Sequence, residues 1–192
     1  MPTPLQLVLG ALALVVLGML FLAGRRIVSA WLAYRGTRIV VCPETRQTVA
    51  VEVDARHAAL GAPRSRPQLR LESCTRWPER ETCGQECLAQ VEEAPEACLL
   101  LHILGDWYRG KTCAFCGRTF EAWHQSDHEP ALLAPGGALV DWSDFPPAEI
   151  HHVLASHRPV CWNCRVAEGF RRQHPELVTD RPAHLGPPPS MA

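Results

Sequence analysis

The segment LQLVLGALALVVLGMLFLAG, residues 5–24, constrains the fold more than any other stretch, because Gln6 is its only strongly polar side chain. An α-helix rises about 1.5 Å per residue, so about 20 apolar residues reach about 30 Å, the hydrocarbon thickness of a bilayer. The run therefore reads as a transmembrane helix, with the lipid bilayer as the first expected partner. A cleaved signal would show a basic leader, a shorter apolar stretch and a small-residue exit. Here MPTPLQ carries no basic side chain, and the run ends in Arg25 and Arg26.

Charge then supplies an orientation. Arg25, Arg26, Arg35 and Arg38 follow the span, whereas only the amino terminus is basic before it. The positive-inside rule places the amino terminus outside and the C-terminal bulk in the cytoplasm, as at a bacterial inner membrane. Trp31 and Tyr34 suit the headgroup layer. Thiols stay reduced in that compartment, so the nine cysteines point to metal ligands or buried apolar residues rather than disulfides. A formal net charge of −1 argues against a nucleic-acid partner, because phosphate binding needs a concentrated basic face. Arg64, Arg66 and Arg70 are too few to make one.

Beyond the span, patterning indicates an α+β chain of short hairpins and helices. RIVVCPETRQTVAVEVD reads as a hairpin turning at Pro43–Gln47, ARHAAL as a short helix, and QLRLES as a third strand. Thr82 and Gln85 have capping-box spacing, which predicts a helix from near Cys83 to Pro95. EACLLLHILGDWY reads as a buried helix containing Cys98 and His102, and KTCAFCGRTF as a tight turn between short strands. ALLAPGGALVDW is a hairpin signal; helices are expected over residues 148–155 and from Arg165 to about Gln173. The expected organisation is a stub (1–4), the span (5–24), a juxtamembrane segment (25–37), a cysteine-containing α+β subdomain (38–94), a second subdomain (95–177) and a disordered tail (178–192).

The cysteines carry the chemistry. Cys113 and Cys116 form one C-x2-C pair, and Cys161 and Cys164 another. Such a pair lets two thiolates converge on one ion while the chain turns around it, and zinc favours four of them in a closed tetrahedral site. A knuckle, a hairpin and then a second pair whose last cysteine opens a helix is an order that resembles the treble-clef zinc finger, over Lys111 to about His174. That resemblance implies a zinc-organised fold with these four cysteines as ligands. The positive end of the helix near Cys164 would favour thiolates.

Cys42, Cys74, Cys83 and Cys87 form a second candidate set: Cys42 at the hairpin turn, Cys74 ending a strand, Cys83 and Cys87 spaced i, i+4 on one expected helix. They read either as a second zinc site or as buried apolar thiols, and four thiolates would also accept an iron–sulfur cluster. Cys98 is left over as a core residue.

Other motifs yield less. His124 and His128 have helical spacing with Asp127 between them, but a zinc protease needs glutamate directly after the first histidine, and Gln125 stands there. The stretch reads as a polar turn or, alternatively, as an auxiliary metal site or an outer-shell partner to the zinc. His57, His151 and His152 read as solvent-facing or capping residues, and His102 as a hydrogen-bonded core histidine. No phosphate loop or nucleophile elbow occurs, and no enzymatic activity is expected. The sequence thus describes a single-pass, membrane-anchored, cytoplasmic protein stabilised by one or two zinc sites and serving to bind a protein partner. The alternative is a redox or metal-handling protein carrying an iron–sulfur cluster or an exchangeable metal.

Overall fold

The computed structural model describes residues 3–63, 66–77, 79, 82–121 and 128–177. The chain divides into two compact units, Met1–Leu99 and Leu100–Ala192.

The first unit opens with α1, Pro4–Tyr34. Its start is set by Thr3, whose hydroxyl accepts from the Gln6 amide while the Gln6 side chain accepts from the Thr3 amide, at 3.4 and 2.9 Å. Gln6, the one polar residue of the apolar run, thus completes a capping box on backbone donors that the helix itself leaves unpaired. None of the most apolar window of α1, of mean hydropathy 2.7, is buried in protein. The helix is long and apolar enough to cross a membrane, a property that a signal sequence near an amino terminus shares. Its 31 residues exceed by about ten what the hydrocarbon requires.

At the far end of α1 a charged side chain is used in an unexpected way. Arg38 is fully buried, and its guanidinium donates to the carbonyls of Ala33, in the last turn of α1, and of Pro95. Burial depresses its pKa, partly opposed by Cys98 and Tyr34. Arg38 therefore satisfies a helix C-terminus, a role that its place among the basic residues after the span does not announce. Arg25, Arg26 and Arg35 remain exposed.

Three antiparallel strands follow in the order β1-β2-β3: β1 (Thr37–Val41), β2 (Thr48–Val53) and β3 (Leu71–Cys74). Val41 faces Thr48 across the expected hairpin, and Val51 faces Cys74. Between β2 and β3, α2 (Ala55–Gly61) is capped by Asp54, whose carboxylate accepts from the His57 amide at 2.9 Å and pairs with Arg70 at 2.5 Å. The core joins Val40, Val49, Val51, Val53 and Leu71 of the sheet to Leu88 and Val91. Each such side chain contributes about 1.5–3 kcal/mol by leaving water.

The helix expected from Cys83 begins later, as α3 (Leu88–Glu93). Gln85 takes a left-handed φ of 55°, and its side-chain oxygen accepts from the Leu71 amide at 2.9 Å. Tied to β3 in this way, it cannot serve a helical capping box, so Cys83 and Cys87 do not share a helix face. Cys98 also lies outside a helix, in the turn 95–98, with its carbonyl accepting from the Ile39 amide at 2.7 Å.

The second unit starts with α4 (Leu100–Tyr108). Leu104 and Tyr108 are fully buried, and the Tyr108 hydroxyl donates to the Ala131 carbonyl at 3.1 Å. His102 is exposed and pairs with Asp106 at 3.1 Å, so it is not the core histidine expected. A three-stranded sheet in the order β5-β4-β6 comprises β4 (Ala131–Leu133), β5 (Leu139–Val140) and β6 (Arg158–Val160). Gly137, at φ 81°, turns the β4–β5 hairpin. A 3-10 turn at Pro147–Glu149 leads into α5 (Ile150–Ser156), and α6 (Trp162–Gln173) is followed by a last 3-10 turn at Pro175–Leu177. Neither β6 nor the start of α6 at Trp162 follows from the sequence pattern. Pro159 sits inside β6, which is possible because β6 is an edge strand and proline there forfeits no ladder bond.

Candidate metal centre

The centre is assembled from one loop and one helix start. In the loop, the Cys113 amide donates to the Arg118 carbonyl at 2.9 Å and the Gly117 amide to the Cys113 carbonyl at 3.0 Å. Thr112 bridges to Thr119 behind it. Gly117 has φ 69° with nothing near its missing Cβ, so glycine is used here for its backbone conformation and not for space.

The second pair arrives through β6. The Pro159 carbonyl accepts from the Ala114 amide at 2.8 Å, which fastens the knuckle to the sheet edge and brings Cys161 beside it. Cys161 occupies the N-cap position of α6, at φ −71° and ψ 156°, and Cys164 lies in the first turn. Cys161, not Cys164 as the sequence reading has it, opens the helix.

The four ligand atoms of Cys113, Cys116, Cys161 and Cys164 lie within 4.8 Å of one another, the group of such atoms that meets this closeness among the described residues. The sulfurs of Cys116 and Cys161 are 3.7 Å apart, and the Cys161 amide reaches the Cys113 sulfur at 3.3 Å. Ala131, Val160, Phe115, Phe120, Leu133 and Leu139 pack around them. Cys113 is buried and Cys116 exposed.

Burial opposes charge on Cys113, but the amides of Cys116, Cys161 and Phe115 more than offset it and hold the thiol down at about 7. Burial pushes Cys161 up, against the Cys164 amide, which favours its thiolate. Burial and hydrogen bonds with Cys161 and Cys116 push Cys164 up further. One thiolate is readily held here, whereas four repel; a bound dication would reverse that balance and could take all four as ligands. A closed four-sulfur shell leaves no position for water, so the arrangement suits holding an ion and not activating a nucleophile.

The other candidate residues are placed differently. Cys42 follows β1, Cys74 ends β3, Cys83 lies in the irregular stretch 82–87, and Cys87 is buried just before α3. Cys42 and Cys74 both pack on the core that contains Cys87. These four gather less tightly than the first quartet. His124 and Asp127 lie outside the described residues; His128 stacks on Trp162, 4.9 Å between ring centres. His57, His151 and His152 are exposed. Sequence reasoning missed the Pro159 carbonyl and the backbone amides that favour the Cys113 thiolate. Peptide groups leave no side-chain signature.

The fold and the site define a class: two α+β units, the first opening with a long apolar helix and the second gathering four thiols closely enough to bind a metal ion. Comparisons with protein-family models, curated proteins and solved structures gave no match.

Proposed function

We propose that this chain is a single-pass membrane protein whose cytoplasmic part is a structural zinc module that binds a protein partner. The observation that carries the reading is the mutual approach of the four ligand atoms of Cys113, Cys116, Cys161 and Cys164 within 4.8 Å. Zinc–sulfur bonds of about 2.3 Å set the corners of a tetrahedron about 3.8 Å apart, and the Cys116–Cys161 separation is 3.7 Å. An iron–sulfur cluster spreads its cysteines over more than one iron and sets some sulfurs roughly 6 Å apart. The quartet is therefore sized for a single ion. The order knuckle, hairpin, helix supports a treble-clef-like arrangement, lengthened by α5 and β6.

The exposed apolar surface of α1 supports a membrane span, and Arg25, Arg26 and Arg35 support a cytoplasmic C-terminal part. A partner surface is offered by α6, where Val166 and Phe170, one turn apart, are each about half exposed. The exposure of Cys116 favours a second reading, a metal-handling protein that exchanges its ion through that ligand. The test is metal analysis with an optical spectrum of the full chain in detergent. Zinc in a colourless protein is expected. Visible thiolate–iron absorption would move the assignment to the redox class, and absence of any metal at neutral pH would remove both readings.

A further inference from the structure

The turn that carries Cys42 repeats, bond for bond, the knuckle that carries Cys113. The Cys42 amide donates to the Gln47 carbonyl at 2.9 Å, and the Arg46 amide to the Cys42 carbonyl at 2.7 Å. In the Cys113 knuckle the same two bonds join Cys113 to Arg118 and Gly117 to Cys113, at 2.9 and 3.0 Å. Arg46, at φ 56°, takes the left-handed position that Gly117 takes at φ 69°. Thr45 then stands where Cys116 stands. A left-handed arginine is unfavourable relative to glycine, so a turn that keeps it has its shape imposed by what surrounds it.

Two further thiols, Cys74 and Cys87, share a core with this turn, and a third, Cys83, lies in the stretch just before Cys87. Cys87 is 7 % exposed, inside the core against which Cys42 and Cys74 pack. The stretch that carries Cys83 and Cys87 is tied to β3, the strand that ends in Cys74, by the bond from the Leu71 amide to the Gln85 side-chain oxygen at 2.9 Å. The second non-glycine residue with left-handed φ among those described, Gln85, lies between Cys83 and Cys87. Donors suited to thiolate charge are also present. Arg76 reaches the Cys42 sulfur at 3.3 Å, and the buried Trp77 Nε1 has no acceptor among the described residues, while Trp77 itself packs on the same core.

We infer that Cys42, Cys74, Cys83 and Cys87 form a second four-thiolate site for a soft divalent cation such as zinc, built on a knuckle that keeps one cysteine and replaces the other with Thr45. The first quartet completes its shell from two C-x2-C pairs, whereas this one draws single thiols from the hairpin turn, the end of β3 and the stretch before α3. Because its sulfurs are less tightly gathered, binding must draw them inward. Cys83, in a stretch without helix or strand, can move with the least loss of backbone hydrogen bonds. Arg76 then offsets part of the negative charge that four thiolates leave around a dication. The inference shares with the proposed function only the identity of the metal.

The test uses the full chain in detergent with zinc as the probe. Metal analysis should give about two zinc ions per chain, falling by half in the double variant Cys42→Ser, Cys87→Ser and also by half in Cys113→Ser, Cys164→Ser, as independent closed sites require. Should either double variant misfold, alkylation of the wild-type protein followed by mass spectrometry reads each thiol directly. Cys42, Cys74 and Cys83 should be protected with zinc bound and labelled after chelation. One zinc per chain, lost entirely in the Cys113→Ser, Cys164→Ser variant, with Cys42 and Cys83 alkylated equally before and after chelation, would overturn the second site and leave the first intact. No zinc at all would overturn both.

Discussion

Replacing Cys161 by serine and, separately, by alanine separates two tasks of one side chain. Cys161 supplies one of the four sulfurs of the candidate metal centre and also stands at the N-cap of α6. A structural zinc site binds with about 10–16 kcal/mol at neutral pH, so one of four comparable thiolates carries about 2.5–4 kcal/mol, or two to three decades in affinity. A side-chain oxygen at an N-cap contributes about 1 kcal/mol over alanine. Both variants should therefore bind zinc about 100- to 1000-fold more weakly, measured by competition with a chromophoric chelator. In excess chelator their order should split. Cys161→Ser should unfold in urea with about 1 kcal/mol more stability than Cys161→Ala, because its hydroxyl accepts from the first-turn amides while alanine offers nothing. Tryptophan fluorescence in detergent would follow the transition, with Trp162 next to the substituted position. Zinc affinity of Cys161→Ser within tenfold of wild type would refute the reasoning, since a true ligand cannot be so dispensable in a closed shell.

Two further outcomes follow from packing. No residue along the 12 of α6 is buried, and a helix shorter than about 12–15 residues is marginal in water; chelation should therefore strip hydrogen-exchange protection from the α6 amides while α4, anchored by Leu104 and Tyr108, keeps more of its own. Protection of α6 that survives chelation would show that packing, not metal, holds it. Arg38→Met removes the donors to the Ala33 and Pro95 carbonyls and should destabilise the first unit by about 2–4 kcal/mol, because each charge-assisted bond contributes about 1.5–3 kcal/mol and relief of the buried charge returns part. An unchanged urea midpoint would contradict that role.

The sequence by itself determined what short-range chemistry specifies. The apolar run dictates a long helix whatever follows it, alternation around Pro43–Gln47 dictates the β1–β2 hairpin, and C-x2-C-G dictates a knuckle, since each is closed by hydrogen bonds or burial within a few residues. Only the tertiary structure decided the rest, where a distant partner outweighs a local preference. Gln85 abandons a capping box to hold the amide of Leu71, Arg38 leaves the surface to cap α1, and Pro159 joins a strand because that strand lies at an edge. The same holds for the metal centre. The pairing of β6 with β4 and the bond from Ala114 to Pro159 bring Cys116 and Cys161, 45 residues apart in the chain, to 3.7 Å. The residue types and spacing made four thiols suitable for one ion; a sheet edge that no local pattern announces made them neighbours.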